Sequence, residues 1–138
     1  MNEMSIRNAT AADEEWIVGL FDDNAQILGG AFIGKRMFFR WASSKNKKDK
    51  IVVVSGKAFA HYRNKKDGTK TLYEIAVHSS EKRKGIGTLL MNHIGRPVVL
   101  KTDRTNEESN AFYRALGLTL CGKTKTKSGK ELNIWQGW

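Results

Sequence analysis

Two hydrophobic periods run through the chain, and the places where one gives way to the other mark its elements. Met4 to Asn8 alternates as a short first strand. Thr10 then caps a helix, with Asp13 three residues on in the capping-box position. Trp16, Ile17, Leu20 and Phe21 recur at helical spacing and are expected to face the core. Asn24 to Leu28 continues as a second short helix until Gly29-Gly30 stops it. Ile33 to Ala42 is helical again, with Met37, Phe38 and Trp41 on one side and Lys35, Arg36 and Arg40 elsewhere. Ser43 to Lys50 holds Lys45, Lys47, Lys48 and Lys50 and no apolar residue, so it is expected to be a basic loop.

The middle of the chain changes to strand periodicity. Ile51 to Val54 and Ala58 to Tyr62 are strands joined through Ser55-Gly56. Asn64 to Gly68 is a hairpin turn, for which Asp67-Gly68 is the strongest signal. Thr71 to Val77 is the next strand, Gly87 to Ile94 a helix, and Pro97 to Lys101 a strand of the buried type. Asn106 to Leu116 is a helix ended by Gly117. Leu118 to Cys121 and Glu131 to Gln136 close the chain as a hairpin about Lys127 to Lys130. This order predicts an α/β fold class, with an α+β-like mixed sheet: a central, twisted, mostly antiparallel sheet flanked by helices.

Composition fits one domain over residues 1–138, with 40% hydrophobic and 28% charged residues. No apolar run reaches the length of a membrane span. The acidic start (Glu3, Asp13, Glu14, Glu15, Asp22 and Asp23 against Arg7) is unlike a secretory signal. A cytoplasmic protein is therefore expected. Cys121 is the lone cysteine, which excludes an internal disulfide or multi-cysteine metal site. His61, His78 and His93 are scattered, and no structural metal is expected.

Charge adds a second picture. The net charge is +10, but residues 24–138 carry 23 Lys/Arg against 8 Asp/Glu. Such a field attracts polyanions: nucleic acid, phosphorylated cofactors or acidic protein surfaces.

The sharpest chemistry lies at Lys82-Arg83-Lys84-Gly85-Ile86-Gly87, after a strand and at the opening of a helix. Two glycines let successive N–H groups turn into one concavity, and the helix start adds unpaired N–H groups and partial positive charge. This is a pyrophosphate site. A dinucleotide fingerprint would want a third glycine where Leu90 stands, although Asp103 lies roughly where an acidic ribose contact belongs. Gly117 to Thr124 fits the pattern G-x-x-x-x-G-K-[ST]. Its context is wrong, since a helix precedes it and Leu118 to Cys121 reads as a strand.

A third phosphate-binding fold fits better. Tyr73-Glu-Ile-Ala-Val77, the 82–87 loop, and Asn106 with Ala111-Phe-Tyr-Arg-Ala-Leu-Gly117 together resemble the GNAT acetyltransferase superfamily. Ser5 to Thr10 followed by Asp13 is similar to that family's first strand and helix. The resemblance is firmest over residues 70–117 and absent from about 29–50.

It implies acetyl-CoA as cosubstrate, with the pyrophosphate on Lys82, Arg83, Lys84, Gly85, Ile86, Gly87 and Thr88. The family prefers Arg or Gln where Lys82 stands. Ile75, Ala76 and Val77 would pair through their backbones with the pantetheine arm, and an N–H there would polarise the thioester carbonyl. Asn106 matches the side chain that steadies the pantetheine. Tyr113 matches the tyrosine near the departing sulfur.

Acetyl transfer to an amine needs a group to take a proton from the ammonium and another to give one to the leaving thiolate. Glu74, the carboxylate of the strand beside the thioester, is the candidate base, and Tyr113 the candidate acid. Some relatives place a glutamate base on the fifth strand, where Lys101 stands, and others use no protein base. His61 and His78 are alternative bases by titration range, although structural roles are expected for both. Cys121 is expected as a small buried hydrophobe, and Phe38, Phe39 and Trp41 as core. Glu107 and Glu108 complement a helix dipole.

The expected function is an acetyl-CoA-dependent N-acetyltransferase moving an acetyl group to a primary amine by direct attack in a ternary complex. The alternative is a protein of this fold that acts on or binds nucleic acid, such as an aminoacyl-tRNA or a modified base. The acceptor itself is not named by the residues. The lysines of 45–50, Lys65, Lys66 and those of 123–130 favour a polyanionic one, nucleic acid or acidic protein.

Overall fold

A computed structural model of the chain describes residues 5–25, 33–43 and 49–138. Its elements in chain order are β1 (Ile6–Asn8), α1 (Glu14–Ala25), α2 (Ile33–Ala42), β2 (Asp49–Val54), β3 (Ala58–Asn64), β4 (Lys70–Val77), α3 (Ile86–Ile94), β5 (Val98–Asp103), α4 (Glu107–Ala115), β6 (Thr119–Lys125) and β7 (Glu131–Gly137). The strands form one sheet in the order β1-β2-β3-β4-β5-β7-β6. Every neighbouring pair is antiparallel except β4 and β5, which run parallel. This is the mixed, mostly antiparallel sheet that the hydrophobic pattern predicts.

The sheet is covered on both faces, which explains the unbroken apolar run Ile51 to Val54. Val52 and Val54 turn to one face, where Ile86, Leu90 and Ile94 of α3 and Tyr113 of α4 complete a core with Leu72, Leu100 and Trp135. Ile51 and Val53 turn to the other, against Ile17 and Leu20 of α1, Met37 and Phe38 of α2, Phe59 and Ala76. Phe59, Ile17 and Trp135 are almost completely buried. Each such side chain contributes roughly 2–3 kcal/mol from burial.

The entry to α1 is fixed by one carboxylate. The Thr10 N–H donates to Asp13 at 2.8 Å, the Asp13 half of the capping box. Arg7 donates to both carboxylate oxygens at 2.8 Å, and Trp16 Nε1 adds a bond at 2.9 Å. The Arg7 hydrogen bond, above all, holds Asp13 well below the ordinary carboxylate range.

Several expectations are corrected. β2 starts at Asp49, so Lys50 belongs to the strand and not to the basic loop; residues 44–48 lie outside the described residues. α1 runs to Ala25, and the remainder of the short helix expected to Leu28 also lies outside them. Phe39 is 72% exposed, because a helical step of one residue from the buried Phe38 turns it away from the core. Cys121 is exposed as well. It sits on β6, an edge strand that continues to Lys125 and is little buried on either face. No helix among the described residues is long and apolar enough to cross a membrane.

Candidate active site

β4 and β5 are parallel partners only over Lys70, Thr71 and Leu72 and the residues facing them, Val98 to Leu100. Beyond Leu72 the two strands diverge. Ile75, Ala76 and Val77 remain paired on their other side with Ala60, Phe59 and Ala58 of β3. Their edge toward β5 opens on a cleft of about 890 Å³. A backbone edge of this kind accepts an extended ligand as an added strand.

One end of the cleft is the 82–88 segment. Arg83 and Gly85 both have positive φ, 67° and 81°. Left-handed residues interleaved in this way turn successive N–H groups to one side, forming an anion nest. Gly85 is the N-cap of α3 and its carbonyl accepts from Leu89 at 3.0 Å. Ile86, Gly87 and Thr88 therefore have no acceptor within the helix for their own N–H groups. A Cβ at Gly85 would meet nothing within 4 Å, so the space above the nest is open. At Gly87 a Cβ would lie 3.1 Å from Phe112, so that glycine permits the close approach of α3 to α4. These features fit a pyrophosphate.

Ile75, Ala76, Val77, Lys82, Arg83, Gly85, Ile86, Gly87, Thr88, Asn106, Glu74 and Tyr113 all line this one cleft. Lys84 does not. Its ammonium turns to Glu81 at 2.7 Å instead. Lys82 pairs with Glu108 across the cleft rim at 3.2 Å, so Glu108 does more than complement a dipole. Asn106 caps α4 through its carbonyl oxygen, which accepts from Ser109 N–H at 3.1 Å. That arrangement leaves its amide nitrogen as the group available to a ligand.

Tyr113 is buried in the core cluster while lining the cleft. Burial pushes its phenol above the ordinary tyrosine value. The group is thus a neutral hydroxyl at any working pH. Its helix is held to the sheet by a buried polar network that sequence reading did not find. Trp135 Nε1 donates to Thr102 at 3.0 Å, Thr102 donates to Asn110, and Asn110 Nδ2 donates to the Asp103 and Arg104 carbonyls at 3.2 Å.

Glu74 owes its position to a β-bulge. His61 faces Glu74, but Tyr62 faces Leu72, so Tyr73 is the extra residue. Leu72 packs into the α3/α4 core, whereas Glu74 shares the opposite face with Ala76. Without the bulge, positions two apart would share a face and Glu74 would point into apolar packing. The Glu74 carboxylate meets His61 Nδ1 at 2.6 Å. His78 does not line the cleft, and its Nδ1 accepts from Ser80 N–H at 3.2 Å.

The two competing nucleotide motifs have structural explanations. Gly117 to Thr124 is a helix end followed by strand β6, paired with β7 from Thr119 onward. The Asp103 carboxylate is occupied by Lys130 at 2.9 Å and by the Thr105 N–H and O–H at 2.8 Å. The Lys130 bond, first, and those from Thr105 lower its pKa to about 2.

A parallel strand pair that parts beyond Leu72, an anion nest at one end, and a buried phenol and a carboxylate lining the same space together fit an acyl-CoA. The family model of the GNAT acetyltransferase domain matches residues 34–118. This is more than half of the chain, and the chain belongs to the GNAT acetyltransferase family.

Known relatives agree with that assignment. A 5-NmdU N-acetyltransferase from Pseudomonas phage PaMx11 is 35% identical over 72 residues, 49% of this chain and 50% of that protein. The match thus spans about half the length of the curated relative. An N-acetyltransferase from Staphylococcus aureus Mu50 superposes with a TM-score of 0.76 at 19% identity, over 99% of this chain and 98% of that one. The yncA structure from Salmonella typhimurium, which contains its cofactor acetyl-CoA, gives 0.69 at 19% identity, over 99% and 94%. At these identities the two structures speak for the fold.

Proposed function

We propose that this chain transfers the acetyl group of acetyl-CoA to a primary amine by direct attack within a ternary complex. The observation that carries the reading is the cleft itself: Glu74 and Tyr113 line the same space as the anion nest and the open edge of β4. The nest residues 83–88 bind the pyrophosphate. The open edge at Ile75 to Val77 orients the thioester arm, and a strand N–H there strengthens its bond to the carbonyl oxygen as negative charge develops. Asn106 adds a side-chain amide to the same arm. Bound acetyl-CoA supplies the activated acyl group.

The chain's own groups then handle the protons. Glu74 takes one from the acceptor ammonium, directly or through one water, so that the nitrogen lone pair is free to form the C–N bond. As the C–S bond breaks, Tyr113 gives its hydroxyl proton to the sulfur, and the second proton that the attacking nitrogen sheds as the amide forms returns to the phenolate. A phenol whose pKa is raised by burial is neutral and able to donate throughout. Lys101, on the face shared with Glu74, is a cation at the acceptor end of the cleft rather than a base.

The acceptor amine in this reading is carried on a modified nucleic-acid base. Three observations support that class: the phage relative named for 5-NmdU, the net charge of +10, and a cleft whose lining includes both the half-exposed Tyr73 and Lys101. An exposed aromatic in a cleft that also carries cations offers a stacking surface for a base.

The test is a transfer assay with acetyl-CoA, following CoA thiol release and product mass. The acceptors are an oligodeoxynucleotide bearing 5-NmdU, the same oligonucleotide without the amine, spermidine, and a peptide with a free N-terminus. Acetylation of the first with strong salt dependence supports the nucleic-acid reading. Preference for spermidine or the peptide replaces the acceptor class while retaining the chemistry.

A further inference from the structure

Behind Glu74, away from the cleft, lies a row of charged and titratable groups that the reaction as described leaves unused. His61 on β3 is 4% exposed. Its Nδ1 meets Glu74 Oε2 at 2.6 Å, and its Nε2 faces Asp49 Oδ2 of β2 at 3.7 Å. Arg63 Nε closes the row at 3.8 Å from the other Asp49 oxygen. The Tyr73 ring covers the imidazole from β4 at a centroid distance of 5.1 Å. His61 Nε2 is buried without a hydrogen-bond partner, so Glu74 is the hydrogen-bonded anchor of the ring.

We infer that His61 is a positioning residue for the transfer reaction: it holds one oxygen of Glu74 from behind and leaves the other to meet the acceptor amine. This rests on the reading of Glu74 as the base. At 2.6 Å a proton must lie between the imidazole and the carboxylate, since two lone pairs would repel. Nδ1 therefore donates to Oε2, and Oε1 keeps its lone pairs for the cleft. When the ammonium proton moves to Oε1, the Nδ1–H bond to Oε2 persists, so His61 itself gains and loses nothing. The effect is orientational. A glutamate has three rotatable bonds, and a free one would share its time among rotamers that do not face the amine. The bulge at Tyr73 brings Glu74 to the face on which His61 stands, and so assembles the pair.

The test is a double-mutant cycle on kcat, with thermal unfolding measured for each protein. The acceptors are the 5-NmdU oligodeoxynucleotide and concentrated ethanolamine, which needs no recognition beyond its amine. Glu74→Gln is expected to lower kcat about 100-fold. His61→Phe keeps a ring but removes the donor. It should lower kcat at least about 10-fold while the KM for acetyl-CoA stays within about threefold. On the Glu74→Gln background the same change should cost less than about twofold, because the two groups act as a unit. His61→Gln, which retains an N–H donor, should recover most of the rate. His61→Leu takes the place of His61→Phe in the cycle should that protein not fold.

A His61→Phe enzyme with wild-type kcat overturns the inference. So does a loss as large on the Glu74→Gln background as on wild type, or a His61→Gln enzyme no faster than His61→Phe. Wild-type kcat in Glu74→Gln removes the base reading and this inference with it. Absence of turnover by wild type on either acceptor contradicts the transfer reaction on which both rest.

Discussion

Gly85 separates binding of the pyrophosphate from stability of the fold more cleanly than any other position. Its φ of 81° lies in the left-handed region, and a Cβ there meets nothing within 4 Å. Gly85→Ala therefore has a backbone cost alone, about 1 kcal/mol, or roughly 4 °C in Tm for a chain of this size. Gly85→Asp behaves differently. Aspartate tolerates the left-handed region better and is a preferred N-cap, so its carboxylate satisfies the free N–H groups at the start of α3. The Tm should stay within a few degrees of wild type.

The same carboxylate then occupies the nest. Two unit charges about 5 Å apart at an effective dielectric of 20 repel by roughly 3 kcal/mol. The lost N–H bonds to phosphate add to that. Since 1.4 kcal/mol is tenfold, acetyl-CoA affinity should fall by a factor of about 10²–10³. Calorimetric titration of Gly85→Ala and Gly85→Asp beside wild type measures the affinity, and thermal unfolding confirms that each is folded. A folded Gly85→Asp protein that binds acetyl-CoA within about threefold of wild type refutes the assignment of the nest.

Other expectations follow from the same geometry. Tyr113→Phe keeps the buried ring and removes the proton donor, so kcat should drop about 10- to 100-fold with little change in the KM for acetyl-CoA; an unchanged kcat excludes the acid role. Asp13→Ala orphans the Thr10 and Trp16 donors and should destabilise by about 2 kcal/mol at pH 7, read by denaturant unfolding. The folded pKa of Asp13 is depressed, chiefly by Arg7, so its contribution is full above the unfolded value of about 3.9 and is lost as pH falls through the folded one. The gap between wild type and Asp13→Ala should thus narrow below about pH 4, and a gap independent of pH contradicts the pairing.

Much of the site was legible because it is local. The Lys82 to Gly87 run is contiguous, and its meaning depends only on a strand before it and a helix after it. Tyr113 follows from α4 being helical, with the cleft-lining Ser109 and Phe112 a turn and one residue before it. The alternation in β4 is legible too, but the bulge at Tyr73 is not, since nothing in Leu72-Tyr-Glu announces an extra residue. That bulge decides which face carries Glu74. The row from Glu74 through His61 to Asp49 joins three strands, and only the registers of β2, β3 and β4 bring it together. Cys121 is exposed, against expectation, for a related reason. A small apolar residue in a strand reads as core, whereas β6 turns out to be an edge with little covering it. Phe39 turns outward because Met37, Phe38 and Trp41 already fill the buried side of α2.

The measurement that bears most directly on the central claim is calorimetric titration of the wild-type protein with acetyl-CoA, with ATP and NAD titrated alongside. The cleft between β4 and β5, with its nest at residues 83–88, predicts one site that is selective for acetyl-CoA, with ATP and NAD far weaker. Tighter binding of ATP or NAD than of acetyl-CoA, or no heat with acetyl-CoA at all, would contradict it.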